Sequence, residues 1–382
     1  MGAVVNWFLF LPLAALLAGS LLSLSSSPHW FVRGWDFPLV QIVVTGWLLA
    51  LLLCALRSWG FAAGSPPTWL VIGIAIVLTV WHGLRIWPYT PLAKTQAKST
   101  EVSFIQQRSI DPAAIRLVIS NVEEENHQYD LWMSVISTAD PDVLILLEPD
   151  KRWVAAIAKL LLSYPHQVLQ PQENWYGMVL LSKLPIEKYE VRFLIQDDVP
   201  SIDASIRLKD GTLIRVVAVH PRPPEPIRDH DSIARDAELI LWGKELADEQ
   251  RPVIICGDLN DVAWSATTGL FLRLSGLLDP RRGRGFFNSF HADHAYMRFP
   301  VDQLFHSNDF TVSQVTRLSH VGSDHFPIQV DLRHSPSRQA EHEELPEKSG
   351  DHKEANTLIE RAVTDEKIDG ETGRNRKPSI QP

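Results

Sequence analysis

Three long apolar stretches occupy the first quarter of the chain. They cover about residues 4–24, 39–56 and 69–87, each about 18–21 residues long, and none contains an acidic residue. This is the length that a helix needs to cross a hydrocarbon core of roughly 30 Å. Tryptophans cluster at the margins of the stretches, as is typical of side chains at the headgroup level. The pattern predicts a membrane region at 1–93 with three transmembrane helices; a signal peptide over the first stretch is the alternative.

A finer pattern of apolar and polar positions begins near residue 115. Short β-branched runs alternate with segments whose apolar residues recur every three or four positions, which predicts strands and amphipathic helices in one layered α/β sandwich. The turn Lys209-Asp210-Gly211 between two strand runs indicates antiparallel pairing. Strands are predicted at 115–120, 142–147, 178–182, 202–208, 213–220, 253–256 and 301–305, and helices at 126–138, 151–163 and 228–249.

The rest of the domain organisation follows from composition. We expect a linker at 94–112, a catalytic domain at 113–333 and a charged tail at 334–382. The tail is rich in Pro, Glu, Lys and Ser and has almost no aromatic residues, so it is predicted to be disordered. Its deletion is therefore expected to change activity little.

The charge of the middle region bears on its partners. Residues 94–333 contain 25 basic and 33 acidic residues, a net charge of −8. A protein that binds nucleic acid through its phosphates usually presents a basic face, so this balance disfavours a nonspecific nucleic-acid binder. The two cysteines, Cys54 and Cys256, provide neither a disulfide framework nor a zinc site.

Polar residues follow several of the predicted strands directly. Taken singly, each fits an ordinary turn, helix start or surface position. Together, at one sheet edge, they offer the carboxylate and amide oxygens that Mg²⁺ or Mn²⁺ prefers, and histidines that can hold a phosphoryl oxygen or move a proton. These candidate residues are Asn121, Glu148, His220, Asp258, Asn260, Asp302, Asp324 and His325.

The order of these motifs resembles that of the endonuclease/exonuclease/phosphatase superfamily, the DNase I-like phosphoesterases. The series Asn, Glu, His, Asp-x-Asn, Asp and Ser-Asp-His matches over about residues 113–333. The resemblance implies a four-layer α/β sandwich, here preceded by three transmembrane helices, and a metal-dependent phosphoric ester hydrolase. It does not define the substrate, because one fold hosts many.

The resemblance also implies a role for each matched residue. Glu148 is similar to the family's principal metal ligand, with Asn121 beside it and Asp324 completing the site for Mg²⁺, or alternatively Mn²⁺. Asp258 resembles the residue that activates the attacking water. Asn260 would hold a phosphate oxygen, and Arg222 is a candidate for substrate binding. His325 would stabilise the charge on the phosphoryl group, and Asp302 would fix the tautomer of His325. His220 would lie near the leaving group.

Two features depart from the family pattern or extend it. Gln303 follows Asp302 where an aromatic residue or histidine is common, which removes a stacking contact. The basic run from Arg281 to Arg284 is interpreted either as a solvated loop or as a contact for a second phosphate or an anionic lipid headgroup.

Three functions remain open from the sequence. The first is a membrane-anchored hydrolase of a phosphate ester or pyrophosphate, acting on a lipid-linked substrate at the bilayer. The second is a nuclease of DNase or abasic-site type, and the third an inactive membrane scaffold. A similar branch of the superfamily, associated with glycopeptide resistance, implies a bacterial inner-membrane protein with an extracytoplasmic catalytic domain. The basic residues that flank the transmembrane spans instead favour a catalytic domain in the cytoplasm. No protein partner is predicted.

Overall fold

The computed structural model describes residues 2–62, 66–106, 109–225 and 231–374. They fall into two units, Met1–Lys94 with Pro224–Ser232, and Thr95–Pro223 with Ile233–Pro382. The predicted division into a membrane region and a folded domain therefore has a counterpart in the structure.

The first unit contains three helices that are long enough and apolar enough to cross a membrane. They are α1 (Gly2–Leu22), α3 (Leu39–Ser58) and α4 (Thr68–Ile86), with the short α2 (Trp30–Arg33) between the first two. At 1.5 Å per residue, helices of 19 to 21 residues span about 30 Å. Their positions agree with the three spans that the sequence predicts.

Polar side chains inside this unit are paired with one another. His82 Nε2 lies 2.8 Å from Ser20 Oγ, and the Trp47 indole donates to Thr79 Oγ1 at 2.8 Å. The Arg85 guanidinium forms an ion pair of 2.5 Å with Asp36, which precedes α3. Such pairing lowers the cost of burying polar groups among apolar helices.

The second unit contains two β-sheets that pack face to face. One sheet has the strand order β10-β11-β1-β2-β4-β3 and the other β5-β6-β7-β8-β9. The strands are β1 (Ala114–Asn121), β2 (Val143–Leu147), β3 (His166–Gln170), β4 (Met178–Ser182), β5 (Ile186–Arg192), β6 (Ser201–Arg207), β7 (Leu213–Val219), β8 (Val253–Asp258), β9 (Asp302–His306), β10 (Phe310–Arg317) and β11 (Ile328–His334).

Helices cover the outer face of each sheet, which gives the four layers of the predicted sandwich. Alternation along the strands explains the arrangement, since successive side chains point to opposite faces. In β1, Ile115 and Leu117 pack inward against the second sheet, whereas Val118 packs outward against the helix that bears Trp132. The helices of this unit are α5 (Val102–Gln106), α6 (Tyr129–Ala139), α7 (Lys151–Ala156), α8 (Ala158–Leu161), α9 (Ile233–Ala247), α10 (Ala266–Ser275) and α11 (Asp351–Arg374).

Each sheet contains one parallel pair among antiparallel neighbours. β1 pairs with β2 and β7 pairs with β8 in parallel, whereas β6 and β7 are antiparallel. The turn between β6 and β7 is closed by the Leu208 amide, which donates to the Thr212 carbonyl at 2.8 Å. The predicted hairpin at Lys209-Asp210-Gly211 is thereby confirmed.

Several elements differ from the sequence prediction. Helix α9 begins at Ile233, and residues 228–230 of the helix predicted there lie outside the described residues. The predicted linker is partly integrated into the second unit: Ala97 is buried in its core, and the Thr100 amide donates to the Val312 carbonyl at 2.9 Å. The strands β3, β5 and β10 and the helix α10 were not predicted, because their apolar periodicity is weak or short.

The prediction of a disordered tail is wrong for the residues up to 364. Helix α11 packs against α9 and α10, with Ala355 fully buried in the same apolar cluster as Trp242. Near its start, Asp351 accepts from Arg273 at 2.7 and 2.9 Å. Composition alone concealed an apolar stripe at helical spacing, formed by Ala355, Leu358, Ile359 and Ala362. Residues 375–382 lie outside the described residues.

Removing α11 is consequently expected to destabilise the second unit. Deletion of residues 345–382 exposes the surface around Trp242 and leaves Arg273 without its carboxylate, so the melting temperature should fall by about 5–10 °C. Deletion of residues 365–382 serves as the matched control and should change it little. Equal melting temperatures for both truncated proteins, measured by circular dichroism, would contradict this role of the helix.

A buried acid in α9 gives the fold a pH dependence. Glu238 is 3% exposed and accepts a hydrogen bond from Ser201 Oγ at 2.8 Å. Burial raises the pKa of Glu238 to about 7, although the Ser201 hydrogen bond partly opposes the shift. Between the pKa of the unfolded state and about 7, the folded state keeps this proton whereas the unfolded state has released it. The free energy of unfolding therefore decreases as pH rises towards 7.

Replacement of Glu238 by glutamine removes this titration. We expect Glu238→Gln to raise the melting temperature relative to the parent protein at pH 8, where the parent buries a carboxylate, and to change it little near pH 4.5. Glu187→Gln, at an exposed ion pair with Arg207, is the control. A Glu238→Gln protein that gains no stability at pH 8 in thermal unfolding would show that the side chain is not buried as a neutral acid.

Candidate active site

The site lies where the carboxyl ends of both parallel strand pairs meet. Asn121 ends β1 and Glu148 follows β2, while His220 follows β7 and Asp258 ends β8. Neighbouring parallel strands end at the same sheet edge, so each sheet brings two of these side chains together. Asn121 Nδ2 donates to Glu148 Oε1 at 2.7 Å and to Asp258 Oδ2 at 3.2 Å. One amide thus joins the contributions of the two sheets.

Two glycines allow the backbone to approach closely beside these residues. The Gly177 carbonyl accepts from the Glu148 amide at 2.8 Å, and a Cβ on Gly177 would lie 2.0 Å from the Pro149 carbonyl oxygen. Gly257, just before Asp258, has φ +153°, and a Cβ there would lie 1.8 Å from the Val219 carbonyl oxygen. Only glycine fits at either position without displacing a neighbouring site residue.

His220 lies between the two carboxylates. Its Nε2 atom is 3.7 Å from Glu148 Oε1 and 3.8 Å from Asp258 Oδ2. Burial lowers the pKa of His220 to about 4, with only partial compensation from Asp258. The ring also packs against Tyr176, at 5.5 Å between centroids. At neutral pH the imidazole is therefore neutral and can act as a hydrogen-bond partner.

The Asp258-x-Asn260 motif forms a tight turn after β8. The Asn260 amide nitrogen donates to Asp258 Oδ1 at 2.9 Å, and the Asn260 side chain donates to the Pro221 carbonyl at 3.1 Å. Behind the turn, the buried Arg235 donates to the Asn260 carbonyl at 2.7 Å. The turn is thus fixed from both sides, with the other oxygen of Asp258 directed at Asn121 and the histidines.

Asp302 and His325 form a buried pair. His325 Nδ1 lies 2.7 Å from Asp302 Oδ2, and His325 Nε2 lies 3.6 Å from Asp258 Oδ2. Burial disfavours the charged imidazole, but the carboxylates of Asp302 and Asp258 outweigh it and raise the pKa of His325 well above its ordinary value. These carboxylates therefore favour the protonated imidazole. The hydrogen bond to Asp302 orients the ring.

The Ser-Asp-His segment is attached to the end of β1. Ser323 Oγ donates to the Asn121 carbonyl at 2.9 Å and accepts from the His325 amide at 3.0 Å. The Asp324 amide donates to Glu123 Oε2 at 3.0 Å, and Asp324 Oδ1 lies 3.8 Å from His325 Nε2. Glu123 was missed in the sequence. Its position two residues after Asn121, in a polar run that also fits a plain turn, gave no distinguishing signal.

Arg222 lies close to the site but already has a partner. Its guanidinium is 2.6 Å from Asp198 and 5.0 Å from the Tyr176 ring, which in turn contacts His220. The predicted substrate-binding residue is therefore near the histidine that the resemblance places at the leaving group. The Asp198 carboxylate offsets much of its charge.

The arginine run from Arg281 to Arg284 begins with a buried side chain, which is neither solvated nor free to contact a ligand. Arg281 is 2% exposed, pairs with Asp279 at 2.6 Å and donates to Gln303 Oε1 at 2.7 Å. Arg284 donates to the Ala97 carbonyl at 2.8 Å. Arg281 is therefore part of the internal hydrogen-bond network of the domain, whereas Arg284 is half-buried.

Gln303 has a structural role that explains its departure from the family pattern. The side chain is fully buried; it accepts from Arg281 and donates through Nε2 to the Asp261 carbonyl at 2.7 Å. Gln303 thereby links the strand that presents Asp302 to the turn that follows Asp258. An amide replaces the stacking contact that an aromatic side chain would make.

Three carboxylates of the site are of the type that a divalent cation prefers. Glu148, Asp258 and Asp324 provide hard oxygen donors, whereas the Asn121 amide nitrogen donates to two of them and so positions them. Burial raises the pKa of Glu148 to about 8, with the Asn121 hydrogen bond opposing the shift. A bound cation would remove the cost of burying these negative charges together.

A second group of donor atoms lies beside the first. Single ligand atoms of Asp258, Asp302 and His325 all fall within 4.8 Å of one another. Asp302 Oδ2 and His325 Nδ1 are already joined by a hydrogen bond of 2.7 Å, which a cation bound to these two atoms would have to replace.

Comparison with known proteins agrees with this fold. The model of the Endonuclease/Exonuclease/phosphatase family matches residues 118–325, more than half of the chain. The chain therefore belongs to this family, whose members are hydrolases acting on phosphoric esters and are generally dependent on divalent metals. No curated protein sequence matches the chain.

Several solved structures are similar to the second unit. A humanised TDP2 from D. rerio is 17% identical, with 58% of this chain and 99% of that chain covered and a TM-score of 0.49. SmcL is 16% identical, with 58% and 99% covered and a TM-score of 0.46. An endonuclease/exonuclease/phosphatase from Beutenbergia cavernae is 16% identical, with 58% and 72% covered and a TM-score of 0.46.

Proposed function

We propose that the protein is a membrane-anchored, Mg²⁺-dependent phosphoesterase that hydrolyses a lipid-linked phosphate ester or pyrophosphate. The observation that supports it best is the meeting of Glu148, Asp258 and the protonated His325 at the strand ends of both sheets. In-line hydrolysis of a phosphate requires carboxylates that bind a metal cation and a positively charged group that donates a hydrogen bond to a phosphoryl oxygen.

In this proposal, water attacks phosphorus while the bond to the leaving oxygen breaks. Glu148 and Asp324 would hold Mg²⁺, or alternatively Mn²⁺, which when bound supplies Lewis-acid stabilisation of phosphoryl charge. Asp258 accepts the proton of the attacking water. His325, held by Asp302, and the Asn260 amide donate to phosphoryl oxygens, and His220 donates to the leaving oxygen. The scheme needs no covalent enzyme intermediate.

The membrane region and the charge of the domain favour a lipid-linked substrate. Three membrane-spanning helices would keep the domain at the bilayer, which raises the local concentration of a lipid-borne phosphate. The net charge of −8 over residues 94–333 disfavours a polyanionic duplex, so a nuclease is the alternative outcome and an inactive scaffold a lesser one.

We further propose a bacterial inner-membrane location with the catalytic domain outside the cytoplasm. The similar branch of the superfamily supports this side, whereas the basic flanks of the spans favour the cytoplasm. Long domains are translocated largely regardless of charge, which reduces the weight of the flanks. Labelling of an engineered cysteine at the exposed Glu173 with a membrane-impermeant maleimide in intact cells tests the orientation, since only an extracytoplasmic domain is modified.

The activity is tested with the full chain in proteoliposomes. Phosphate and headgroup release from a lipid pyrophosphate, sphingomyelin and inositol phosphates is measured with Mg²⁺ and with EDTA, and plasmid nicking in parallel. Metal-dependent turnover confined to lipid substrates supports the proposal. Nicking that is lost in Asp258→Asn would replace it with a nuclease, and no turnover of any substrate would favour the scaffold.

A further inference from the structure

Two arginines lie over the same aromatic ring, next to the proposed catalytic histidine in the chain. The guanidinium carbons of Arg298 and Arg317 lie 5.0 and 4.4 Å from the centroid of the Phe326 ring. Phe326 directly follows His325 in the chain and is 8% exposed. Two cations are therefore concentrated around one side chain that adjoins the site.

Neither arginine has a carboxylate partner among the described residues. Each makes one hydrogen bond, Arg298 to the Ala292 carbonyl at 2.9 Å and Arg317 to the Asn288 carbonyl at 3.1 Å, and the Arg298 Nε atom is buried without a partner. Burial and the nearby charge of Arg298 lower the pKa of Arg317. The two positive guanidinium groups repel each other, and each has N–H donors without an acceptor. An anion bound between them would reduce the repulsion and accept these hydrogen bonds.

Other arginines of the same unit show the contrast. Arg116 and Arg273 each donate twice to one aspartate, and the buried Arg281 pairs with Asp279. These three arginines are matched to carboxylates, whereas Arg284 donates to carbonyls and to Ser99 Oγ. Arg298 and Arg317 resemble Arg284 in bonding to carbonyls, but they lie over the same ring beside the site.

The pair is tethered to the segments that form the site. The Ala292 amide, next to the carbonyl that holds Arg298, donates to the Asp324 carbonyl at 2.6 Å. Asn288, which holds Arg317, precedes Ser289, whose hydroxyl accepts from the Asp302 amide at 3.1 Å. The Ser289 carbonyl accepts from the Phe326 amide at 2.9 Å. Both guanidiniums are thus positioned by the same loop that supports the Asp302–His325 pair.

We propose that Arg298 and Arg317 bind a second phosphate group of the substrate, distinct from the one that is hydrolysed. Guanidinium donors match phosphate oxygens in geometry and charge, and each arginine keeps several N–H donors available. This inference rests on the proposed phosphoesterase function and deepens it, because it selects substrates that carry two phosphates, such as a lipid pyrophosphate, over monophosphates.

Binding of inorganic pyrophosphate tests the pair without catalysis. Titration calorimetry on the full chain in detergent with EDTA should show binding that weakens about tenfold or more in Arg298→Gln/Arg317→Gln and is partly restored in the double lysine variant. Arg207→Gln, at an exposed ion pair on β6, is the control and should bind as the parent does. Absence of binding by the parent, or equal affinity in the double glutamine variant, would overturn the proposal.

Hydrolysis separates the sources of the phosphate. In phosphatidylcholine vesicles, the double glutamine variant should lose kcat/KM about tenfold or more for a lipid pyrophosphate and little for the corresponding monophosphate. If kcat/KM falls equally with and without added phosphatidylglycerol, the second phosphate belongs to the substrate, as proposed. If kcat/KM falls only when phosphatidylglycerol is present, the arginines bind neighbouring lipid headgroups instead, and the proposal is wrong. If the parent hydrolyses neither lipid, the proposed function fails, and pyrophosphate affinity still decides the binding site.

Discussion

Replacing Glu148 by glutamine is expected to reduce metal-dependent hydrolysis about 10³-fold or more. The substitution keeps the size of the side chain and its contact with Asn121 but removes the negative charge nearest to that amide. Loss of several kcal/mol of transition-state stabilisation corresponds to a rate effect of this size. Initial rates of phosphate release over a range of Mg²⁺ concentrations measure it.

Thermal unfolding of the same variant checks that the loss reflects the metal site. A ligand that binds only the folded state raises the melting temperature, so Mg²⁺ should stabilise the parent protein and have much less effect on Glu148→Gln. Glu173→Gln, at an exposed ion pair with Lys151, should keep both activity and the Mg²⁺ response. Near-normal turnover in Glu148→Gln would remove this residue from the site.

Asp302→Asn is expected to reduce kcat about 10²- to 10⁴-fold with a small effect on KM. The carboxylate lies 2.7 Å from His325 Nδ1 and is one of the three carboxylates that favour the protonated ring. An amide can neither balance the imidazolium charge nor fix the tautomer equally well. The expected separation of kcat from KM distinguishes this effect from general loss of folded protein.

The matched control is another buried aspartate that pairs with a cation outside the site. Asp331 in β11 accepts from Arg116 at 2.7 Å through both of its oxygens. Asp331→Asn should lower the melting temperature but leave kcat per folded molecule close to that of the parent protein. If Asp331→Asn lost as much kcat as Asp302→Asn, the Asp302 effect would be one of stability rather than of histidine positioning.

The layers of the fold could be predicted from the sequence because the strands and helices that form them have strong periodicity. β1, β2 and β7 are mostly apolar and almost wholly buried on both faces, and α6 has its apolar residues on one side. Strand β5 escaped prediction because most of its side chains are exposed. Helix α11 escaped it because four apolar positions are diluted by a charged surface.

The candidate site was predictable to the extent that it follows strand ends. Asn121, Glu148, His220 and Asp258 stand directly after apolar runs, and the structure brings them together. Contacts between residues distant in sequence carry no such signal. The pairing of Arg281 with Gln303 and the position of Arg317 over the Phe326 ring depend on three-dimensional neighbours that a linear pattern does not reveal.

The position of β11 has a consequence for how the protein is made. This strand is the last of the second unit, yet it lies between β10 and β1, with Ile328 opposite Ile119. The first strand can pair with β2 early, but its other neighbour is made only about two hundred residues later, directly after Asp324 and His325. Pairing over such a separation is slow to form. A nascent chain released early would be inert rather than partly active, so hydrolysis begins only after nearly the whole polypeptide has left the ribosome.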